Sequence, residues 1–124
     1  MKTVLVADDE FDLSGTLQCI LEEEGYRAEV CSNGKEALER IRSVKPDLVL
    51  MDVMMPILSG FEVVQAMRQC SDLAGIPVIL MSSVPPGVKR ERYGWQTFLR
   101  KPFTIEALMK HVEEIIGKAG PRPG

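Results

Sequence analysis

The side chains of this chain best suited to chemistry stand where apolar runs stop. Asp8-Asp9-Glu10 follows Thr3-Val4-Leu5-Val6-Ala7, and Asp52 follows Leu48-Val49-Leu50-Met51. A hydroxyl, Ser82, follows Ile76-Pro77-Val78-Ile79-Leu80-Met81, and an amine, Lys101, stands just beyond Thr97-Phe98-Leu99. Carboxylates brought close together repel and raise one another's pKa unless a cation compensates. A hard divalent ion such as Mg²⁺, held by one or two carboxylates with water and phosphate oxygens, is the natural compensation. Lysine adds a mobile point charge suited to a phosphate or a carboxylate. Singly, each residue has an ordinary role: acids complement a helix N-terminus, Asp ends strands in turns, and lone Ser and Lys are solvated. Their value lies in the set.

The elements that must position this set are legible in the periodicity. Thr3 to Ala7 is a nearly continuous apolar run, as expected for a strand buried on both faces. Phe11 to Glu24 is helical, with Leu13, Leu17, Ile20 and Leu21 on one stripe and Gly25 as the stop. Arg27 to Cys31 alternates like an edge strand. Asn33-Gly34 opens a helix with Ala37, Leu38 and Ile41 inward, ending before Pro46. Asp47 to Met51 is the central buried strand. Ser59 can cap a helix carrying Val63, Val64 and Met67. Ile76 to Met81 is the fourth strand, and Thr97-Phe98-Leu99 the fifth. Between them Pro85-Pro86-Gly87 breaks any helix, leaving a short fourth helix over Val88 to Tyr93. Thr104 caps the last helix, whose apolar stripe is Ile105, Leu108, Val112, Ile115 and Ile116. Its Pro102 holds Lys101 extended.

Five strands alternating with five helices predict an α/β domain. We expect a doubly wound, five-stranded parallel sheet of order 2-1-3-4-5, a flavodoxin-like (βα)5 fold with a shortened or irregular fourth helix. Such sheets bind ligands beyond the carboxyl ends of their strands, at the point where the strand order reverses. In that order the first and third strands are neighbours, so Asp9 and Asp52 come side by side.

Composition narrows the function classes. The chain has 124 residues, 45% hydrophobic and 27% charged, which is ordinary globular composition. A formal net charge of −3 gives no electrostatic case for nucleic-acid binding. No apolar run reaches the length of a membrane span, and the chain enters a strand at once rather than a signal peptide. Three cysteines and one histidine argue against a disulfide framework, a zinc site or a catalytic triad. A cytoplasmic domain is expected.

Taken together, these residues resemble the receiver domain of two-component response regulators, from Lys2 to about Ile116. The resemblance rests on Val4-Leu5-Val6-Ala7-Asp8-Asp9-Glu10, the stretch Pro46 to Pro56, Gly60-Phe61-Glu62, Met81-Ser82-Ser83 and Lys101-Pro102-Phe103. The full set in this order is highly specific. It implies a receiver unit over residues 1–117 and a tail or linker stub over 118–124. It also implies a Mg²⁺-dependent phosphorylation switch in which Asp52 accepts a phosphoryl group from the phosphohistidine of a sensor histidine kinase or histidine phosphotransfer protein. Asp9 and Asp52 would ligate the Mg²⁺, with Asp8 acting through water and the Met54 backbone carbonyl as a further ligand. Lys101 and Ser82 would hold phosphoryl oxygens, and Phe98 would be the switch aromatic that turns inward when Ser82 moves. The Lys101-Pro102 bond is similar to one that is cis in the family. Signal would leave through the fourth helix, fifth strand and fifth helix, toward an output or kinase domain, fused or separate. Such a domain catalyses only its own phosphorylation and dephosphorylation.

Departures from the family cluster in one place. The interval from Ser82 to Lys101 is short, Ser83 stands where the family has alanine or glycine, and Gly94-Trp95 replaces a Gly-Ala pair. We expect residues 83–96 to be mobile without phosphorylation and to order around a partner. Lys89, Arg90 and Arg92, set against Glu91, are either the charges of a solvated loop or a surface for an acidic partner or another regulatory domain. Trp95 is either a core plug or an exposed anchor. Three other functions compete. A haloacid-dehalogenase-like phosphatase would need an Asp where Met54 stands, together with a cap domain. A nucleotide- or flavin-binding module would need a Gly-rich loop where Asp8-Asp9 stands. A receiver that signals by binding alone would not need Asp9, Asp52 and Lys101 intact.

Overall fold

The computed structural model describes residues 1–84 and 94–117. In chain order these form β1 (Thr3–Ala7), α1 (Phe11–Glu23), β2 (Arg27–Cys31), α2 (Gly34–Val44), β3 (Leu48–Asp52), α3 (Gly60–Arg68), β4 (Val78–Ser82), β5 (Thr97–Arg100) and α4 (Ile105–Ile116). The five strands make one parallel sheet in the order β2-β1-β3-β4-β5, as expected. The short helix expected over Val88 to Tyr93 and the tail 118–124 lie outside the described residues.

Strand pleating sorts the apolar runs onto two faces. Val4, Val6, Leu48, Leu50, Ile79 and Met81 point to one side, where Leu17 and Leu21 of α1 and Leu108 and Val112 of α4 cover them. Leu5, Ala7, Val49, Met51, Val78 and Leu80 point to the other, under Ala37 and Ile41 of α2 and Val63, Val64 and Met67 of α3. β1, β3 and β4 lie inside the sheet and are covered on both faces, which is why their sequences are continuous rather than alternating.

The caps follow the sequence. Asn33 accepts the Glu36 amide (2.8 Å) at α2, and Thr104 accepts the Ala107 amide (3.0 Å) at α4. Ser59 and Glu62 close a reciprocal capping box at α3. Three expectations need correction. Asp52 is the last residue of β3 rather than the first of a turn, because its backbone still pairs in register with Met81. β4 begins at Val78 rather than Ile76. Ile105, the first residue of α4, is 43% exposed although it matches the apolar stripe of that helix, whose covered part begins one turn later at Leu108. Among the described residues no helix is long and apolar enough to cross a membrane.

Candidate functional site

The parallel register brings the carboxyl ends of β1, β3, β4 and β5 to one edge. There Asp8, Asp9 and Asp52 converge, their nearest carboxylate oxygens all within 4.8 Å of one another. Asp8 and Asp52 are buried, whereas Asp9 is exposed. Lys101 Nζ donates to Asp8 Oδ2 and to Asp52 Oδ2, each at 2.9 Å, with Glu10 Oε1 4.0 Å away.

Backbone amides hold the carboxylates in place. The Glu10 amide donates to Asp8 Oδ1 (2.9 Å), and the Met54 amide donates to Asp52 Oδ1 (3.1 Å). Asp8 is fixed in turn by its own amide, which donates to the Cys31 carbonyl (3.1 Å). The Cys31 thiol is pushed up to about 12 by burial and then by the Glu36 charge, so it stays neutral and adds no charge behind the site.

Charge at the site does not balance. Burial raises the Asp52 pKa, and the nearby Asp8 charge adds to it, outweighing the Lys101 and Met54 hydrogen bonds that favour the ionised form. For Lys101 burial works against the charge, yet its hydrogen bonds to Asp52 and Asp8 and their Coulombic attraction win and raise its pKa. The two directions agree physically. One buried cation shared between two buried carboxylates is held firmly, while the carboxylates remain under-compensated. With Asp9 at the rim, the cluster is an oxygen-donor set with surplus negative charge, a chemistry that fits a small hard divalent cation.

The other expected residues are near but not all in the cluster. Ser82 is buried, its hydroxyl accepts the Val84 amide (3.1 Å), and its carbonyl accepts the Lys101 amide (2.9 Å), so β4 directly positions the lysine. The Lys101-Pro102 bond is cis. Met54 presents its amide to Asp52, while 70% of the residue is exposed. Phe98 pairs in register with Leu80 and packs on the α3 side of the sheet, away from the carboxylates. Trp95 is a core plug, 5% exposed, and the alternative of a surface anchor falls away.

The roles of three residues escape sequence reasoning, although Gly34 and Gly60 themselves stand out there as glycines that open helices. Gly60 lies so close behind β3 that a Cβ there would stand 2.6 Å from the Asp52 carbonyl oxygen. Its amide donates to the Val53 carbonyl at 2.9 Å. A glycine opening a helix after Ser59 was the only available signal. Gly34 is similarly pressed on the β3–α3 loop, where a Cβ would meet Leu58 O at 2.0 Å. Arg68, at the end of α3, donates to the carbonyls of Gly94, Ala74 and Ile76, a role that no local pattern announces. Beside the cluster, between α1 and the β5–α4 loop, lies a largely apolar cleft of about 440 Å³. Leu13, Leu17, Pro102, Phe103 and Ile105 line it, with Lys101 among its walls.

Comparison with known proteins accounts for this arrangement. The response regulator receiver domain family matches residues 4–113. Response regulator MprA of Mycolicibacterium vanbaalenii is 34% identical over 124 residues, covering 98% of this chain and 53% of that protein. The chain thus spans about half the length of the curated relatives it matches. Chemotaxis protein CheY4 of Vibrio cholerae superimposes with a TM-score of 0.85 at 30% identity, covering 93% of this chain and 98% of that one. The receiver domain of sensor histidine kinase PA1611 of Pseudomonas aeruginosa, with a magnesium ion coordinated in its active-site cleft, superimposes with a TM-score of 0.85 at 23% identity. It covers 94% of this chain and 98% of that domain, and at that identity the likeness is one of fold. The chain belongs to the receiver domain family of two-component response regulators.

Proposed function

We propose that this domain is a phosphorylation switch whose acceptor is Asp52. The observation that carries the reading is the convergence of Asp8, Asp9 and Asp52 on the Nζ of Lys101. An ionised Asp52 oxygen attacks the phosphorus of a phosphohistidine, the N–P bond breaks, and the imidazole leaves with the electron pair. Lys101 is already within hydrogen-bond reach of the attacking carboxylate, where its charge can neutralise phosphoryl oxygens. The Met54 amide keeps the other Asp52 oxygen in place.

Asp9 and Asp52 would hold Mg²⁺ directly, Asp8 through water, and the Met54 carbonyl would add a further ligand. When bound, Mg²⁺ supplies charge neutralisation for the transferring group. Ser82 would then donate its hydroxyl to a phosphoryl oxygen, drawing its loop inward, and Phe98 would follow. The output face would include β5 and α4, together with the expected fourth helix, which lies outside the described residues.

The donor is best supplied by a protein, a sensor histidine kinase or histidine phosphotransfer protein. Phe11 and Ile105 at the first positions of α1 and α4, with Met54, Ile57 and Val84 from the loops, are exposed large apolar residues at the same sheet end, and such a rim suits docking of a partner surface. We place the receiver unit at residues 1–117, with 118–124 as a tail or linker toward an output or kinase domain, and the whole in the cytoplasm. No role in direct nucleic-acid or membrane binding is included.

Intact mass after incubation with acetyl phosphate tests this function. One added phosphoryl group is expected, dependent on Mg²⁺ and absent from Asp52→Asn. Addition to Asp52→Asn at the same level would remove Asp52 as the acceptor. If acetyl phosphate adds nothing and a panel of phosphorylated histidine kinases also adds nothing, the domain works by binding alone.

A further inference from the structure

Trp95, one of the departures from the family pattern, sits in the core against the proposed switch aromatic. Its ring centroid lies 5.5 Å from that of Phe61, tilted 46°, and 6.2 Å from that of Phe98, tilted 59°. These are separations at which aromatic rings attract one another beyond simple burial. Phe61 belongs to the first turn of α3, directly after Gly60, the glycine pressed against the Asp52 carbonyl. Phe98 is on β5, on the same face of the sheet as Leu80, with Ser82 two residues further along β4.

The backbone on either side of Trp95 is pinned. The Gln96 amide donates to the Val78 carbonyl at 2.7 Å. The Gly94 carbonyl accepts two bonds from Arg68, from Nε at 3.0 Å and Nη2 at 2.7 Å. Arg68 Nη1 also ties the Ala74 and Ile76 carbonyls, at 2.8 and 3.0 Å. Gly94 takes a φ of +80°, which a larger residue would not adopt without strain. Trp95 is therefore braced by the start of α3 through Phe61 and by its end through Arg68.

We propose that Trp95 is the positioning residue that sets the orientation of Phe98, so that phosphorylation moves the Trp95 ring and passes through it to Gly94, Arg68 and the C-terminal end of α3. This rests on the phosphorylation switch proposed above. The physical reason is packing. Protein interiors hold few voids large enough to accept a ring, and the buried Trp95 ring packs against Phe98, its centroid 6.2 Å away. A Phe98 that turns changes the packing against the indole, and the indole's backbone neighbours carry that change to α3.

The chain contains a single tryptophan, so its emission reports this ring alone. The experiment follows Trp95 fluorescence of the whole chain during acetyl phosphate and Mg²⁺ treatment, with phosphoryl occupancy measured by intact mass on the same samples. The expected result is a red shift of the emission maximum that rises in proportion to occupancy and is absent in Asp52→Asn given Mg²⁺. At equal occupancy the shift is lost in Phe98→Leu and kept in Phe98→Tyr, which keeps a ring; loss through misfolding would show as a lowered urea midpoint before phosphorylation. Full occupancy with unchanged emission would overturn the role of Trp95, and so would an undiminished shift in Phe98→Leu. No occupancy from any phosphodonor would overturn the switch itself and this inference with it, an outcome the mass measurement separates from the other two.

Discussion

At the scale of single residues, the site is governed by a count of charges in a small dry volume. Lys101 bonds both Asp8 and Asp52, yet one cation cannot offset two buried carboxylates, and Asp52 carries the raised pKa. The sign of the stability effect follows. A carboxylate whose pKa is raised on folding binds its proton more tightly in the native state, so its stabilisation is present in acid and is lost as pH rises through the folded pKa. Ionised Asp52 therefore costs stability at neutral pH when no divalent cation is present. Asp52→Asn in metal-free buffer is expected to raise the urea midpoint at neutral pH, with a gain that shrinks as pH falls through the carboxylate range. A midpoint below the wild type at neutral pH would show that Lys101 more than compensates. Removing the cation is expected to do the opposite. Lys101→Ala leaves two buried acids facing each other and should cost about 3 kcal/mol, recovered in part by adding Mg²⁺, as urea titration with and without the ion would show.

At the scale of elements, the aspartates are placed by strands and the strands by what lies behind them. Gly60 allows α3 to start directly against the end of β3, so Gly60→Ala forces the strand end or the helix start to move. Overpacking of this kind costs about 1–3 kcal/mol, and because the displaced atoms belong to Asp52 itself, the rate of phosphoryl incorporation should fall as well. Gly15 supplies the contrast. It lies within α1 with nothing within 4 Å of an added Cβ, so Gly15→Ala should stabilise by about 0.5–1 kcal/mol and leave incorporation unchanged. Thermal melts and a time course of intact mass on the two variants check both halves. The caps Ser59 and Thr104 were legible because a small polar residue before an apolar stripe has a local, sequence-adjacent partner. Ile105 differs for the converse reason: periodicity gives the face of a helix, but not which turns of that face other elements cover.

At the scale of the whole molecule, the sheet end opposite the site is closed by contacts between distant parts of the chain. Tyr26, just before β2, donates its hydroxyl to the Gly117 carbonyl at 2.8 Å, and the Lys2 ammonium reaches the Ile116 carbonyl at the end of α4. Tyr26 is 2% exposed, so Tyr26→Phe should lose about 1 kcal/mol. Hydrogen exchange is expected to rise in the last turn of α4 and to stay unchanged in β3. Equal loosening throughout would instead make that contact part of the global core.

The division between what the sequence determined and what folding decided follows the reach of each interaction. Sequence alone determined the strands to within a residue or two, their parallel character and the positions of Asp8, Asp9, Asp52, Ser82 and Lys101 at strand ends, because burial on both faces demands uninterrupted apolar runs and polar residues mark where burial stops. It also marked Gly94-Trp95 as a departure, whereas the strand order came from likeness to a known fold. Only the tertiary structure decided that Lys101 pairs with Asp8 as well as Asp52, that Gly60 backs the Asp52 carbonyl, and that Trp95 fills the core between Phe61 and Phe98. It also decided that Arg68 gathers three carbonyls from two connections. These facts depend on distances between segments remote in sequence, and a one-dimensional pattern of apolar and polar residues records which face a side chain takes but not what it meets there.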